Sequence, residues 1–175
     1  GARGASRPTC ATTALRLLLA LPASIGSTAA RGLRAQPLMS TTSSMTNAQM
    51  LEQHSWAVIG DVLHPTKPAR AVAERLEAVG KTVLRVNPRA TPASDPGGVL
   101  FKNLRDAHAA NKVDVIDLII NPRDGLIQMQ QAAELGIKAV WIQPGAGSDE
   151  IRTLCKENDI SVYEGCVLIE TPGGH

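Results

Sequence analysis

The feature that leaves this chain fewest choices is a repeated change of hydrophobic period between residues 54 and 170. Short, nearly continuous apolar runs alternate with segments in which apolar residues recur at helical spacing. The runs are WAVIG (56–60), TVLRV (82–86), VDVIDLII (113–120), KAVWIQ (138–143) and ISVYE (160–164). A strand that is apolar throughout is covered on both faces, as in a parallel sheet held between helices. Between the first two runs, Ala69, Val72, Ala73, Leu76 and Val79 fall on one side of a helix that Gly80 ends. That is one βαβ unit, and parallel strands require such crossovers. Residues 87–98, NPRATPASDPGG, carry too many prolines and glycines for anything but a loop. A short helix is expected over 104–110. Another is expected with Asp124 as its cap, carrying Leu126, Ile127, Met129, Gln130 and Ala133 and ending near Gly136. A third is expected over 149–157 behind Ser148 and Asp149, turning Ile151, Leu154 and Cys155 inward. The pattern predicts an α/β, Rossmann-like open parallel sheet of five strands with helices on both faces. The expected strand order is 3-2-1-4-5.

The net charge of +2 hides two unlike parts. Residues 1–50 hold five arginines (Arg3, Arg7, Arg16, Arg31, Arg34) and no acidic residue, whereas the chain from Leu51 onward holds 13 basic and 16 acidic residues. An Arg- and Ser-rich segment free of acids reads as a transit peptide for a mitochondrion or plastid, and as an unfolded leader. If translation instead starts at Met39 or Met45, the product is cytoplasmic. The domain itself is expected over 54–171. Its slight negative charge and scattered basic residues give no phosphate-tracking patch, so nucleic acid is not an expected partner. The longest apolar run, Leu17 to Leu21, is far too short to span a bilayer. Cys10, Cys155 and Cys166 lack metal-ligand spacing and suggest no disulfide framework.

In a doubly wound sheet the ligand crosses the C-terminal ends of the strands, where the strand order reverses. Four run endings supply polar residues, glycines and prolines to that rim: Gly60-Asp61, Asn87-Pro88, Asn121-Pro122 and Gln143-Pro144-Gly145. Gly60 permits close backbone approach, and the helix that follows it can attract phosphate. The loop GDVLHPTKP lacks the dinucleotide fingerprint G-x-G-x-x-G, and no P-loop is present. Lys67 is a candidate phosphate counter-ion, with an ordinary exposed lysine as the alternative; His64 is read as a surface or capping residue. Asn87 and Asn121 either hydrogen-bond a ligand or pin their own turns. Arg89 and Arg123 are weaker phosphate candidates. Asp114 and Asp117 are read as structural, since residues three apart in a strand point to opposite faces. Cys166 and Glu170 are read as lining or structural residues, and no Ser-His-Asp arrangement is discernible.

Taken in order, VIG at 58–60 with Lys67-Pro68, VNP at 86–88, VDVID at 113–117, AVWIQPGA at 139–146 with Asp149-Glu150, and finally Cys166 and Glu170 resemble the small stand-alone CoA-binding proteins. Their fold is that of the CoA-binding domain of the succinyl-CoA ligase alpha subunit. The resemblance spans about 54–171. It implies that Gly60 and its loop through Lys67 and Pro68 approach the phosphates. It further implies that Asn87 and Pro88 line the adenosine end, and that Asn121 and Gln143 to Gly145 edge the cleft. Asp61 and Val62 depart from the small-residue and hydroxyl pattern usual after the first glycine. Ile120-Asn121 stands where the family commonly has an aromatic-Arg pair, with Arg123 placed to compensate, and Val167 stands where many relatives carry Pro. The ligases also need a phosphohistidine loop and an ATP-grasp partner, which these motifs do not include. The resemblance therefore implies non-catalytic binding of CoA or acyl-CoA in an organelle. Two alternatives remain: a small NAD(P)- or nucleotide-dependent enzyme needing a partner, and a degenerate domain acting as an interaction subunit. A protein partner or a homodimer is compatible with each.

Overall fold

The computed structural model describes residues 44–171. The expected leader falls largely outside the described residues. Five parallel strands form one sheet: β1 (Ser55–Gly60), β2 (Thr82–Val86), β3 (Val115–Ile119), β4 (Ala139–Ile142) and β5 (Ser161–Glu164). Helices cover both faces. On one side, α1 (Asn47–Glu52), α2 (Pro68–Ala78) and α6 (Val167–Glu170) contribute Met50, Val72, Leu76 and Val167 to a core with Trp56, Val58 and Trp141. On the other, α3 (Leu104–Ala110), α4 (Pro122–Leu135) and α5 (Asp149–Glu157) pack Leu104, Met129, Ile151 and Cys155 against Ile59, Ile116 and Ile142. Every residue of β1 and of β4 is buried, which explains why neither strand alternates.

The strand order is β2-β1-β3-β4-β5, which corrects the expected 3-2-1-4-5. The run at 113–120 does not lie outside β2; its strand pairs with β1, Trp56 opposite Val115. The place beside β2 is held by a single residue, because Phe101 makes a parallel bridge to Val86. Phe101 donates its N–H to Arg85 and accepts one from Asn87, at 3.0 and 2.9 Å. Counted as a strand, that bridge restores the doubly wound order with six members.

Three helical details also differ from expectation. α4 is capped by Asn121, three residues before Asp124, whose backbone N–H meets the Asn121 side chain at 3.1 Å. The folded part begins before residue 54: Thr46 and Gln49 form a capping box on α1, Met50 is fully buried, and the Met45 N–H donates to Ser161 Oγ at 2.8 Å. After β5, the chain forms the single turn α6. The helix over 149–157 is found as expected, with Ser148 Oγ accepting the Ile151 N–H.

Candidate functional site

The chain leaves β1 to one side to make β2, then returns past β1 to make β3, so the order reverses between β1 and β3. A cleft of about 510 Å³ opens there at the C-terminal ends of the strands. Asp61, Lys67 and Pro68 line it from the loop after β1, Asn87 and Arg89 from the loop after β2, and Asn121 from the end of β3; Ile119 and Ile120 add apolar surface. Thus six sequence-derived candidates (Asp61, Lys67, Pro68, Asn87, Arg89 and Asn121) share one cleft.

Gly60 lies at the root of this cleft for a packing reason. A Cβ there would sit 2.7 Å from both the Ile119 carbonyl oxygen and its Cγ2, and 3.0 Å from Ala69 Cβ. Only glycine lets the ends of β1 and β3 and the start of α2 meet so closely. That approach brings Lys67, Pro68 and Ala69, the N-cap and first two residues of α2, to the cleft wall. No side chain caps α2, and Pro68 at its first position has no N–H. The positive end of α2 is therefore open to an anion. Lys67 is exposed beside it and forms no salt bridge among the described residues. His64 Nδ1 lies 3.1 Å from Thr66 Oγ1, so His64 braces the same loop.

The two asparagines hold their own turns. Asn87 Oδ1 accepts the Arg89 N–H at 3.0 Å. Asn121 caps α4 and donates from Nδ2 to Asp124 Oδ2 at 2.8 Å. The same carboxylate receives Arg89 Nε at 2.5 Å, joining the loop after β2 to the start of α4. The hydrogen bond from Asn121 and then that from Arg89 hold the Asp124 carboxyl below the usual carboxylate range. Pro88 is half-buried next to Asn87, and Arg123 is exposed on the first turn of α4; neither lines the cleft.

Gln143, Pro144 and Gly145 lie elsewhere. They line a separate pocket of about 430 Å³ at the ends of β4 and β5, together with Arg152 and Glu164. Gly145 adopts a φ of 84° in the turn that the Ala146 N–H closes onto the Gln143 carbonyl. Arg152 is already engaged there: Nε and Nη2 donate to Glu164 at 2.6 and 3.0 Å, and Nη1 donates to Asp149 at 3.0 Å. The Gln143 amide points inward, with Nε2 donating to Asp117 Oδ1 at 2.7 Å. Asp117 is fully buried, and burial pushes its carboxyl up to about 7 despite the opposing hydrogen bond from Gln143. The sequence signal for this pair was an acid in the middle of a strand apolar on both faces. Asp114, by contrast, lies just before β3 and accepts the Ser55 N–H at 3.0 Å.

Burial also raises the Cys155 thiol, to about 11. Glu170 accepts from Tyr163 Oη at 2.8 Å and from Asn47 Nδ2 at 3.4 Å, tying α6 to β5 and α1. Among the described residues no cluster of metal-ligating side chains is present, and no helix is long and apolar enough to cross a membrane.

A parallel sheet with a polar cleft at its switch point and an open helix N-terminus beside a lysine defines a Rossmann-like nucleotide-binding domain. Residues 54–172 match the model of the CoA binding domain, and the chain belongs to that family. That membership favours CoA or acyl-CoA over NAD(P) as its ligand. A conserved hypothetical protein of Pyrococcus furiosus is 30% identical, with a TM-score of 0.58 over 68% of this chain and 100% of the other. A Thermus thermophilus protein is 29% identical, with a TM-score of 0.57 over 67% of this chain and 87% of the other. A hypothetical protein from Pyrococcus horikoshii shares the fold at 23% identity, with a TM-score of 0.59 over 67% and 81% of the two chains. The family rests on the match over residues 54–172, these structures share its fold, and none of them singles out the succinyl-CoA ligase alpha subunit.

Proposed function

We infer that the protein is a non-catalytic binder of CoA or an acyl-CoA, working in a mitochondrion or plastid, with the nucleotide held in the cleft between the ends of β1 and β3. The observation that carries this reading is the meeting of Lys67 with the open N-terminus of α2 on that cleft's wall. Backbone N–H groups and an ammonium together suit a diphosphate. Support for a binding rather than a chemical role comes from the lining, whose titratable side chains are Asp61, Lys67 and Arg89. The acid-free, Arg-bearing residues 1–50 support the organelle.

Calorimetric titration of the chain with CoA, acetyl-CoA and NAD, in parallel with Lys67→Ala, tests the reading. Saturable binding of the CoA species, weakened about three- to tenfold by K67A, is expected for the loss of one charge-assisted phosphate contact. Selective NAD binding, or silence with all three ligands on folded protein, refutes it. Import of a fluorescent fusion carrying residues 1–50 checks the organelle; a diffuse cytosolic signal overturns that part.

A further inference from the structure

The cleft carries its own competitor for the ligand. Arg89 and Lys67 are the two cations on its wall, and they differ in state. Lys67 has no carboxylate partner among the described residues, whereas Arg89 Nε sits 2.5 Å from Asp124 Oδ2. The two ends of that bridge are held unequally. The Arg89 side chain is 68% exposed and Asp124's only 18%. Asp124 is also fixed from two further directions: its Oδ2 accepts Asn121 Nδ2 at 2.8 Å, and its backbone N–H donates to Asn121 Oδ1 at 3.1 Å. Its place in the first turn of α4 favours the negative charge. Arg89 can therefore swing away and leave behind a carboxylate that still has a hydrogen-bond donor and a helix N-terminus.

Building on the CoA reading, we propose that Asp124 is a specificity-determining residue that occupies Arg89 in the empty cleft, so that only a ligand bearing a phosphate able to outbid this carboxylate recruits the guanidinium. A guanidinium pairs bidentately with phosphate as it does with carboxylate, so the exchange conserves geometry. A phosphomonoester brings more charge than the carboxylate it displaces, and a neutral ligand entering the same cleft leaves the bridge intact. Asp124 thereby lowers affinity for every anion and selects among them.

The test is calorimetry on the full chain with CoA and with 3′-dephospho-CoA, using wild type, Asp124→Asn, Arg89→Gln and the double variant, each checked for folding by thermal melting. Asparagine retains the oxygen that Asn121 approaches while removing the charge. An ion pair with one solvent-exposed partner is weak, so D124N is expected to tighten CoA binding only about two- to fivefold. R89Q weakens CoA binding by about threefold or more, and D124N added to R89Q recovers nothing, since the competitor has lost its object. If the D124N gain appears with CoA alone, Arg89 takes the 3′-phosphate; if with both ligands, it takes the diphosphate. Either result upholds the assignment. An equal gain from D124N in the R89Q background overturns it, because the effect is then charge removal at a distance. In wild type, the Arg89 Nε resonance is expected to shift at saturating CoA; an unmoved resonance overturns the proposal without any variant. Wild type that binds no CoA defeats the reading of the cleft itself, an outcome distinct from CoA binding that is indifferent to Asp124.

Discussion

Asp117 offers the most quantitative test of how the sheet is built. It is completely buried at the centre of β3, between Val58 of β1 and Trp141 of β4. Oδ1 accepts the Gln143 amide, while Oδ2 has no partner among the described residues. One neutral donor cannot replace the hydration of a carboxylate, and the acid's pKa rises from 3.8 to about 7. The sign follows from proton uptake. Between these two values the unfolded chain has released the proton and the folded chain keeps it, so stability falls as pH rises through the window and levels off above it. At about 1.36 kcal/mol per pH unit, a window of roughly three units removes about 4 kcal/mol between acid and mildly alkaline solution. Asp117→Asn keeps the shape and abolishes the titration. The expected outcome is two proteins of similar stability near pH 4.5 that diverge with pH, the variant becoming more stable by about 2–4 kcal/mol at pH 8. Urea unfolding followed by the fluorescence of the buried Trp56 and Trp141 measures this. Taking the difference between proteins cancels the other titrating groups, such as Glu164, whose carboxyl is held low by Arg152. A difference that stays constant from pH 4.5 to 8 would refute the reasoning.

Two further substitutions probe the framework around the cleft. Gly60→Ala places a methyl 2.7 Å from the Ile119 carbonyl oxygen, a backbone atom that cannot rotate aside. A stability loss of about 1–3 kcal/mol and weaker CoA binding are expected by melting and calorimetry; an unchanged melting temperature removes the packing argument. Asn121→Ala deletes the cap of α4 and should cost about 1 kcal/mol in urea unfolding, whereas a loss below about 0.3 kcal/mol would mean the helix start is held by other contacts.

Much of the fold was legible because burial on both faces writes itself directly into a strand. WAVIG and AVWI carry no polar residue at all, and the helices between them show a single apolar stripe bounded by Gly80, Gly136 and Ser148. The elements that escaped are those with little surface to bury. α1 has one fully buried side chain, Met50, although Thr46 and Gln49 already had capping-box spacing. α6 is four residues long, and the bridge at Phe101 is a single residue. Such elements form because a neighbouring surface needs covering, and that surface is not visible in the local sequence.

The candidate site was legible to the extent that it depends on strand ends and illegible where it depends on which strands are neighbours. Asp61, Lys67, Pro68, Asn87 and Asn121 converge because each follows a parallel strand whose C-terminus faces the same way. Gln143 to Gly145 were placed on the same rim, and this misplacement has the same origin as the wrong strand order. In the order 3-2-1-4-5 the fourth strand lies against the first, which would set Gln143 beside Gly60. In the observed order β3 intervenes, pairing with β1 on one side and β4 on the other. The ends of β4 and β5 therefore open a second pocket, and Gln143 spends its amide on Asp117, 26 residues away, in the strand that displaced it. The Arg89–Asp124 bridge is of the same kind: its partners belong to connections on opposite sides of β1. Contacts of this sort follow only after the order is known. The one-residue bridge at Phe101, too small to register as a strand, thus hid both the strand order and the position of one of the four strand endings on the rim.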